Sequence, residues 1–115
     1  MVISRGEVWL TNFNPSFGTE LHKNRPVLII SSNEVNNYHP RVVVIPISTK
    51  NYSGLSVVAI TSKGAGLDKQ SVALPAEIRA VDKIRLTKKL GRISKIELKE
   101  VEEVVKLVLG LGGEQ

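Results

Sequence analysis

The residues best suited to chemistry fall in three polar stretches of the 115-residue sequence. The first, residues 14–24, holds Glu20 and His22 and leads directly into Arg25 and Pro26. Arg25 stands at the mouth of the apolar run Val27-Leu28-Ile29-Ile30, where a planar guanidinium can clamp a phosphate through two parallel hydrogen bonds. The competing use of the same side chain is a structural ion pair with Glu20 or Glu7. The second stretch begins Ser48-Thr49-Lys50 and closes another apolar run with two hydroxyls and an ammonium. Such a terminus either holds a phosphate and orients a nucleophile or is ordinary turn chemistry. The third runs through residues 64–70 and on to Glu77 and Arg79. It opens onto residues 79–95, where seven Lys or Arg accompany one Asp; this run is either an RNA-facing rim or a solvated surface.

Other chemistries are excluded by what is missing. With no cysteine, disulfides, thiol nucleophiles and cysteine-held metals are impossible. His22 and His39 are the only histidines, too few for a histidine-rich metal site, and no Ser-His-Asp order is recognisable. No cofactor and no metal are expected. Gly64-Ala65-Gly66-Leu67 resembles part of a phosphate-binding glycine loop but lacks the Lys-Ser/Thr and the following helix, so it reads as a plain turn. Charge is uneven: residues 94–115 carry three basic and five acidic side chains, which leaves 13 basic and six acidic in residues 1–93. A basic body with an acidic C-terminal segment suits a polyanionic partner such as nucleic acid.

These side chains need a scaffold. At 42% apolar and 23% charged, the composition suits a compact core and argues against disorder, collagen-like repeats and coiled coil. One domain over residues 1–115 is expected, without repeats or linkers. No apolar run approaches the ~18 residues of a membrane span and no signal segment is recognisable, so a cytoplasmic location is expected. Residues 7–13, 26–31, 41–47 and 56–60 are short, rich in Val and Ile and separated by turn residues, which predicts strands. Val27-Leu28-Ile29-Ile30 and Val42-Val43-Val44-Ile45 are apolar on both faces and read as central strands. Residues 71–74, 77–81 and 89–93 predict shorter strands. Ser94-Lys95-Ile96-Glu97 is a capping box. Leu98, Val101, Val104, Val105, Val108 and Leu111 then form a helical stripe, which Gly110, Gly112 and Gly113 end. Glu100, Glu102 and Glu103 read as its solvated face, and Trp9 as core. The fold class is mainly β (α+β): a small barrel or twisted antiparallel sheet with a C-terminal α-helix.

In order and spacing, several motifs together resemble the MazF/PemK family of toxin endoribonucleases from type II toxin–antitoxin modules. They are Arg5-Gly6-Glu7-Val8-Trp9, Asn24-Arg25-Pro26-Val27-Leu28-Ile29-Ile30, Pro46-Ile47-Ser48-Thr49, residues 66–74 from Gly66 to Leu74, and Glu77-Ile78-Arg79-Ala80-Val81-Asp82-Lys83. The resemblance spans about residues 4–111. It implies an SH3-like barrel of the CcdB/MazF toxin type, a homodimer, and sequence-specific, metal-independent cleavage of single-stranded mRNA. Such an mRNA interferase leaves 2′,3′-cyclic phosphate and 5′-hydroxyl ends, because the ribose 2′-OH is the nucleophile. The partners implied are single-stranded RNA and a cognate antitoxin with an acidic, partly disordered segment, and the toxin–antitoxin complex is expected to bind operator DNA.

By position, Arg25 matches the family's catalytic arginine. Ser48 falls where the family has threonine, followed by Thr49, which leaves open which hydroxyl meets the phosphate. Glu20 matches a recurrent acid and is the candidate proton acceptor. His22, Lys50, Glu77 and Arg79 are the candidate RNA contacts, His22 lying in a Leu21-His22-Lys23 run that replaces a Gln/Gly-rich one. Two other functions compete. A CcdB-like toxin would trap DNA gyrase through a C-terminal helix surface, and a non-catalytic RNA- or DNA-binding module would bind without cutting. The pairing of Arg25 with Ser48 and the Glu77–Asp82 motif favour the nuclease over the gyrase toxin, and cleavage itself separates it from the binding module.

Overall fold

The computed structural model describes residues 1–13, 24–50, 52–54 and 56–113. Its strands are β1 (Glu7–Asn12), β2 (Asn24–Ile29), β3 (Arg41–Ser48), β4 (Val58–Ile60), β5 (Ser71–Ala73), β6 (Arg79–Asp82) and β7 (Leu86–Arg92). Two helices accompany them, α1 (Asn33–Tyr38) and α2 (Lys95–Leu109). The ladders are antiparallel and run β4-β5-β3-β2-β1-β7. The far edge of β3 is shared: its first half pairs with β6, while Ile47 and Ser48 pair with β5. Two register shifts between β1 and β7 add twist. The sheet curls into a half-barrel with α2 against one face.

Unbroken apolar runs bury both faces, as expected of central strands, and the two-residue alternation sorts their side chains. Val8, Leu28, Ile45 and Ile47 join Val58, Ile60, Ala73, Ile93 and Val101 of α2 in one cluster. Trp9, Val27, Ile29, Val42 and Val44 join Ile3, Val81 and Leu86 in a second cluster on the opposite face. Trp9 is therefore core, and its indole N–H donates to Glu7 at 3.0 Å.

Helix α2 begins at Ser94, whose hydroxyl accepts the Glu97 N–H at 3.1 Å, as the capping motif predicts. The reciprocal half of the box is absent. Glu97 turns its buried carboxylate to Thr61 and Ser62, and the Ser94 N–H goes to the Ser62 hydroxyl at 2.9 Å. Four donors in one place outcompete one capping bond. At the other end Gly110 adopts the left-handed conformation (φ 69°), and the Leu111 N–H reaches the Lys106 carbonyl at 2.9 Å. Leu98, Val104 and Val105 pack on the first cluster. Val108 and Leu111 are exposed, so the stripe is used only through Val105. Glu102, half-buried on that face, pairs with Arg5 at 2.6 Å.

Other departures have local causes. Pro75 opens a 3₁₀ turn (Pro75–Glu77), so β6 starts at Arg79 and not at residue 77. Helix α1, unforeseen, is capped by Ser32, which accepts the Val35 N–H at 3.2 Å. The Gly64–Leu67 stretch is a 3₁₀ turn (Lys63–Ala65) lying against β7. A Cβ at Gly66 (φ +73°) would run into the Leu90 carbonyl, and one at Gly91 into the Gly64 carbonyl. The glycines serve backbone packing. Among the described residues no helix is long and apolar enough to cross a membrane.

Candidate active site

The site grows from the register of three neighbouring strands. Thr11 of β1 stands opposite Arg25 of β2, and Val27 of β2 stands opposite Pro46 of β3. That pairing ends at Val27 and Pro46, and its antiparallel sense directs the first residues of β2, with Arg25, and the last residue of β3, Ser48, to the same end of the sheet. Alternation puts Arg25 on the face of Val27 and Ile29, and Ser48 on the face of Val44. Guanidinium and hydroxyl thus project from neighbouring strands on one side of the sheet. A strand that must be apolar over Val27–Ile29 to be buried can expose a charge only at its end. Arg25 is exposed.

Arg25 makes no ion pair among the described residues, and Glu7 is committed elsewhere. That buried carboxylate pairs with Lys89 at 2.8 Å and Arg92 at 3.5 Å. It also accepts the Ser4 N–H at 2.8 Å and the Trp9 indole. Burial pushes the Glu7 pKa up, but hydrogen bonds from Lys89, Trp9 and Ser4, with the Lys89 charge, outweigh it and hold the group below its ordinary range. Of the two ion pairs open to Arg25 in the sequence, the one with Glu7 is not formed. Glu20 and His22 lie outside the described residues.

The Ser48 hydroxyl accepts the Lys50 N–H at 3.1 Å. A hydroxyl that uses a lone pair this way still has its own proton to donate. Thr49 and Lys50, both exposed, continue from Ser48 into a polar cleft. On the other side of Arg25, Thr11 is fully buried, and its hydroxyl has no hydrogen-bond partner among the described residues. Thr11 is a member of this row that sequence reasoning missed; the alternation Trp9, Thr11, Phe13 was its one visible signal.

Arg79 is close but not adjacent. It pairs with Val44 across the other edge of β3, four residues from Ser48 and so about 13 Å along the strand. Its guanidinium lies over the Phe13 ring, 4.8 Å from the centroid. The two line a cleft of about 510 Å³ with Arg41 and Arg85. Arg41 pairs there with Asp82 at 3.0 Å, and Arg85 donates to the Asn12 carbonyl at 3.1 Å. Phe13 also escaped the sequence reading. Glu77, exposed, ends the Pro75–Glu77 turn, which packs against α2 and β3. His39 accepts the Arg41 N–H through Nδ1 at 3.1 Å, a local turn contact. The sheet therefore directs Arg25 and the Ser48–Lys50 stretch to one end of neighbouring strands and sets Arg79 on a neighbouring rim. Among the described residues no three His, Asp or Glu side chains stand together as metal ligands would.

The same architecture recurs in solved proteins. MazF within the MazE–MazF complex of Deinococcus radiodurans superposes with a TM-score of 0.85 at 23% identity, over 97% of this chain and 99% of that one. An endoribonuclease in complex with its cognate antitoxin, from a mycobacterial species, gives 0.81 at 21% identity, over 97% and 99%. A second mycobacterial endoribonuclease gives 0.81 at 20% identity, over 99% and 97%. These likenesses establish the fold. Membership is established separately, by a family profile that matches residues 4–109. The chain belongs to the family of PemK-like, MazF-like toxins of type II toxin–antitoxin systems.

Proposed function

We propose that this toxin is a metal-independent endoribonuclease that cuts single-stranded mRNA at short sequence motifs in the cytoplasm. The observation that carries the reading is that Arg25, exposed and without an ion pair among the described residues, and Ser48 stand at the same end of neighbouring strands on one face of the sheet. In-line attack of the ribose 2′-OH on the adjacent phosphorus forms the P–O2′ bond and breaks the P–O5′ bond. The substrate brings its own nucleophile, so the protein must orient the backbone, accept one proton, return one to the leaving 5′-oxygen, and stabilise the charge that develops on the phosphoryl oxygens.

Arg25 suits the last task, since its charge is permanent and its donors form a planar fork. Ser48 donates its hydroxyl proton to a phosphoryl oxygen while its lone pair holds the Lys50 N–H. Glu20 accepts the 2′-OH proton. Thr49 lends a second hydroxyl, and His22, Lys50, Glu77 and Arg79 hold the flanking RNA. The toxin acts as a homodimer and is inhibited by an acidic antitoxin segment laid over the same basic surface. The likeness to structures that contain a cognate antitoxin supports that partner. The toxin–antitoxin complex binds operator DNA.

The test is cleavage of a long, unstructured RNA by the purified protein in excess EDTA, with Arg25→Ala alongside. Fragments ending in 2′,3′-cyclic phosphate are expected, at a rate at least about a hundredfold lower for Arg25→Ala. Intact RNA with folded wild-type protein would overturn the reading and turn attention to gyrase inhibition.

A further inference from the structure

Beside Ser48, on the side away from Arg25, lies a cleft of about 360 Å³ lined by Thr49, Lys50, Ala59, Gln70, Ser71 and Val72. The strand register fixes its relation to the site. Ser48 pairs with Val72 of β5, and Val72 pairs with Ala59 of β4. Ile47, Ala73 and Val58 belong to the buried cluster on the α2 side, so Ser48, Val72 and Ala59 present the opposite face. The row that begins at Thr11 and Arg25 therefore continues through Ser48 onto an open floor of two small apolar side chains. Ala59 is exposed and Val72 half-buried.

The walls differ from the floor. The Ser71 side chain is turned away from ligand chemistry, with its hydroxyl donated to the Lys69 carbonyl at 2.9 Å. Lys50 and Gln70 are exposed, and neither makes a side-chain hydrogen bond or ion pair among the described residues. A small apolar floor that begins at Val72, a single strand spacing of about 4.8 Å from Ser48, with one primary amide and one ammonium at its margin, matches the needs of an unstacked nucleobase. Its ring lies on the floor, its edge meets the amide, and its neighbouring phosphate meets the ammonium.

We infer that this cleft is a base-reading subsite, in which Gln70 specifies one nucleotide next to the scissile phosphate. The inference rests on the nuclease reading above and deepens it. A carboxamide offers one donor and one acceptor side by side, so it selects a base whose edge offers the complementary pair. Gln70→Glu keeps the shape and leaves acceptors only. It therefore shifts the choice toward edges that present donors, such as cytosine N4 or the N1/N2 edge of guanine.

The experiment is sequencing of the 5′-hydroxyl ends generated from a complex RNA pool by wild type, Gln70→Glu and Gln70→Ala. Thermal melts establish that all three are folded. In Gln70→Glu the preference at one position beside the cut is expected to change about tenfold or more, with the other motif positions unchanged. Gln70→Ala is expected to relax that same position. Identical motifs and rates for all three proteins would overturn the subsite and leave the nuclease reading standing. A folded wild type that cuts nothing would overturn both. Equilibrium binding of single-stranded oligonucleotides differing at that base, measured in the Arg25→Ala background, gives a readout without cleavage. An unchanged order of affinities on adding Gln70→Glu would also refute the subsite.

Discussion

Replacing Glu97 by Gln perturbs the junction where α2 meets the segment after β4. The carboxylate accepts the Thr61 N–H at 2.7 Å, the Thr61 hydroxyl at 2.9 Å, the Ser62 N–H at 3.2 Å and the Ser62 hydroxyl. Hydrogen bonds to a charged group contribute about 1.5–3 kcal/mol each. Thr61 is exposed and Ser62 half-buried, so water recovers part of the loss at their donors. Glutamine keeps one acceptor oxygen and turns an amide N–H₂ group toward the remaining donors. The net cost is about 2–4 kcal/mol, a large share of the 5–15 kcal/mol by which folded domains are stable. At about 4 °C per kcal/mol for a chain of this size, the melting midpoint falls by roughly 8–16 °C. Glu100→Gln, exposed one turn from the junction, is the control and stays within about 0.5 kcal/mol of wild type.

The pH dependence sharpens the test. Burial pushes the Glu97 pKa up, but the hydrogen bonds from Ser62 and Thr61 outweigh it, so the folded value lies below the unfolded reference of 4.5. A carboxyl with a depressed folded pKa stabilises fully above its unfolded value and loses that contribution as the pH falls through the folded one. The difference between wild type and Glu97→Gln, followed by calorimetry from pH 7 downward, is expected to narrow in acid. Midpoints within about 3 °C of each other at pH 7 would refute the reasoning, as would a gap that widens on acidification.

Three further outcomes are expected. Thr11→Val removes a fully buried hydroxyl with no partner among the described residues and is expected to raise the melting midpoint by about 4 °C, or roughly 1 kcal/mol; a fall would show that the hydroxyl is satisfied in solution. Ser48→Ala is expected to slow RNA cleavage by about tenfold to a hundredfold, and Thr49→Ala by less, because strand alternation puts Ser48 on Arg25's face of the sheet. Single-turnover rates that rank the other way would make Thr49 the working hydroxyl. Arg25→Lys keeps the charge but gives up the two-pronged fork, so it is expected to recover only part of the activity lost in Arg25→Ala, while both melt within about 2 °C of wild type because Arg25 is exposed and makes no ion pair among the described residues.

The sheet was legible because its central strands are apolar on both faces, a pattern that no exposed segment tolerates. Helix α2 was legible from its spacing and from Ser94. Partner choice was not. Glu97 fits a capping box by position, yet it serves Thr61 and Ser62, a contact more than thirty residues away that no local rule encodes. Glu7 likewise gathers Lys89 and Arg92 from the far end of the chain. At the site, the motifs that flag Arg25 and Ser48 carry no spatial relation between them; the antiparallel pairing of β2 with β3 directs both to one end of the sheet. Phe13 beneath Arg79 and Gln70 beside Lys50 are equally products of folding. Each looks unremarkable in its own stretch of sequence, and each gains meaning from a neighbour on another strand.

The most direct measurement uses an RNA oligonucleotide containing the cleavage motif, with a single 2′-deoxyribose at the nucleotide that should supply the attacking hydroxyl. If the substrate provides the nucleophile and Arg25 and Ser48 hold the phosphate, the modified strand is expected to bind with nearly unchanged affinity and remain uncut in excess EDTA. Cleavage at the wild-type rate would contradict this, since the nucleophile would then have to come from water or from the protein.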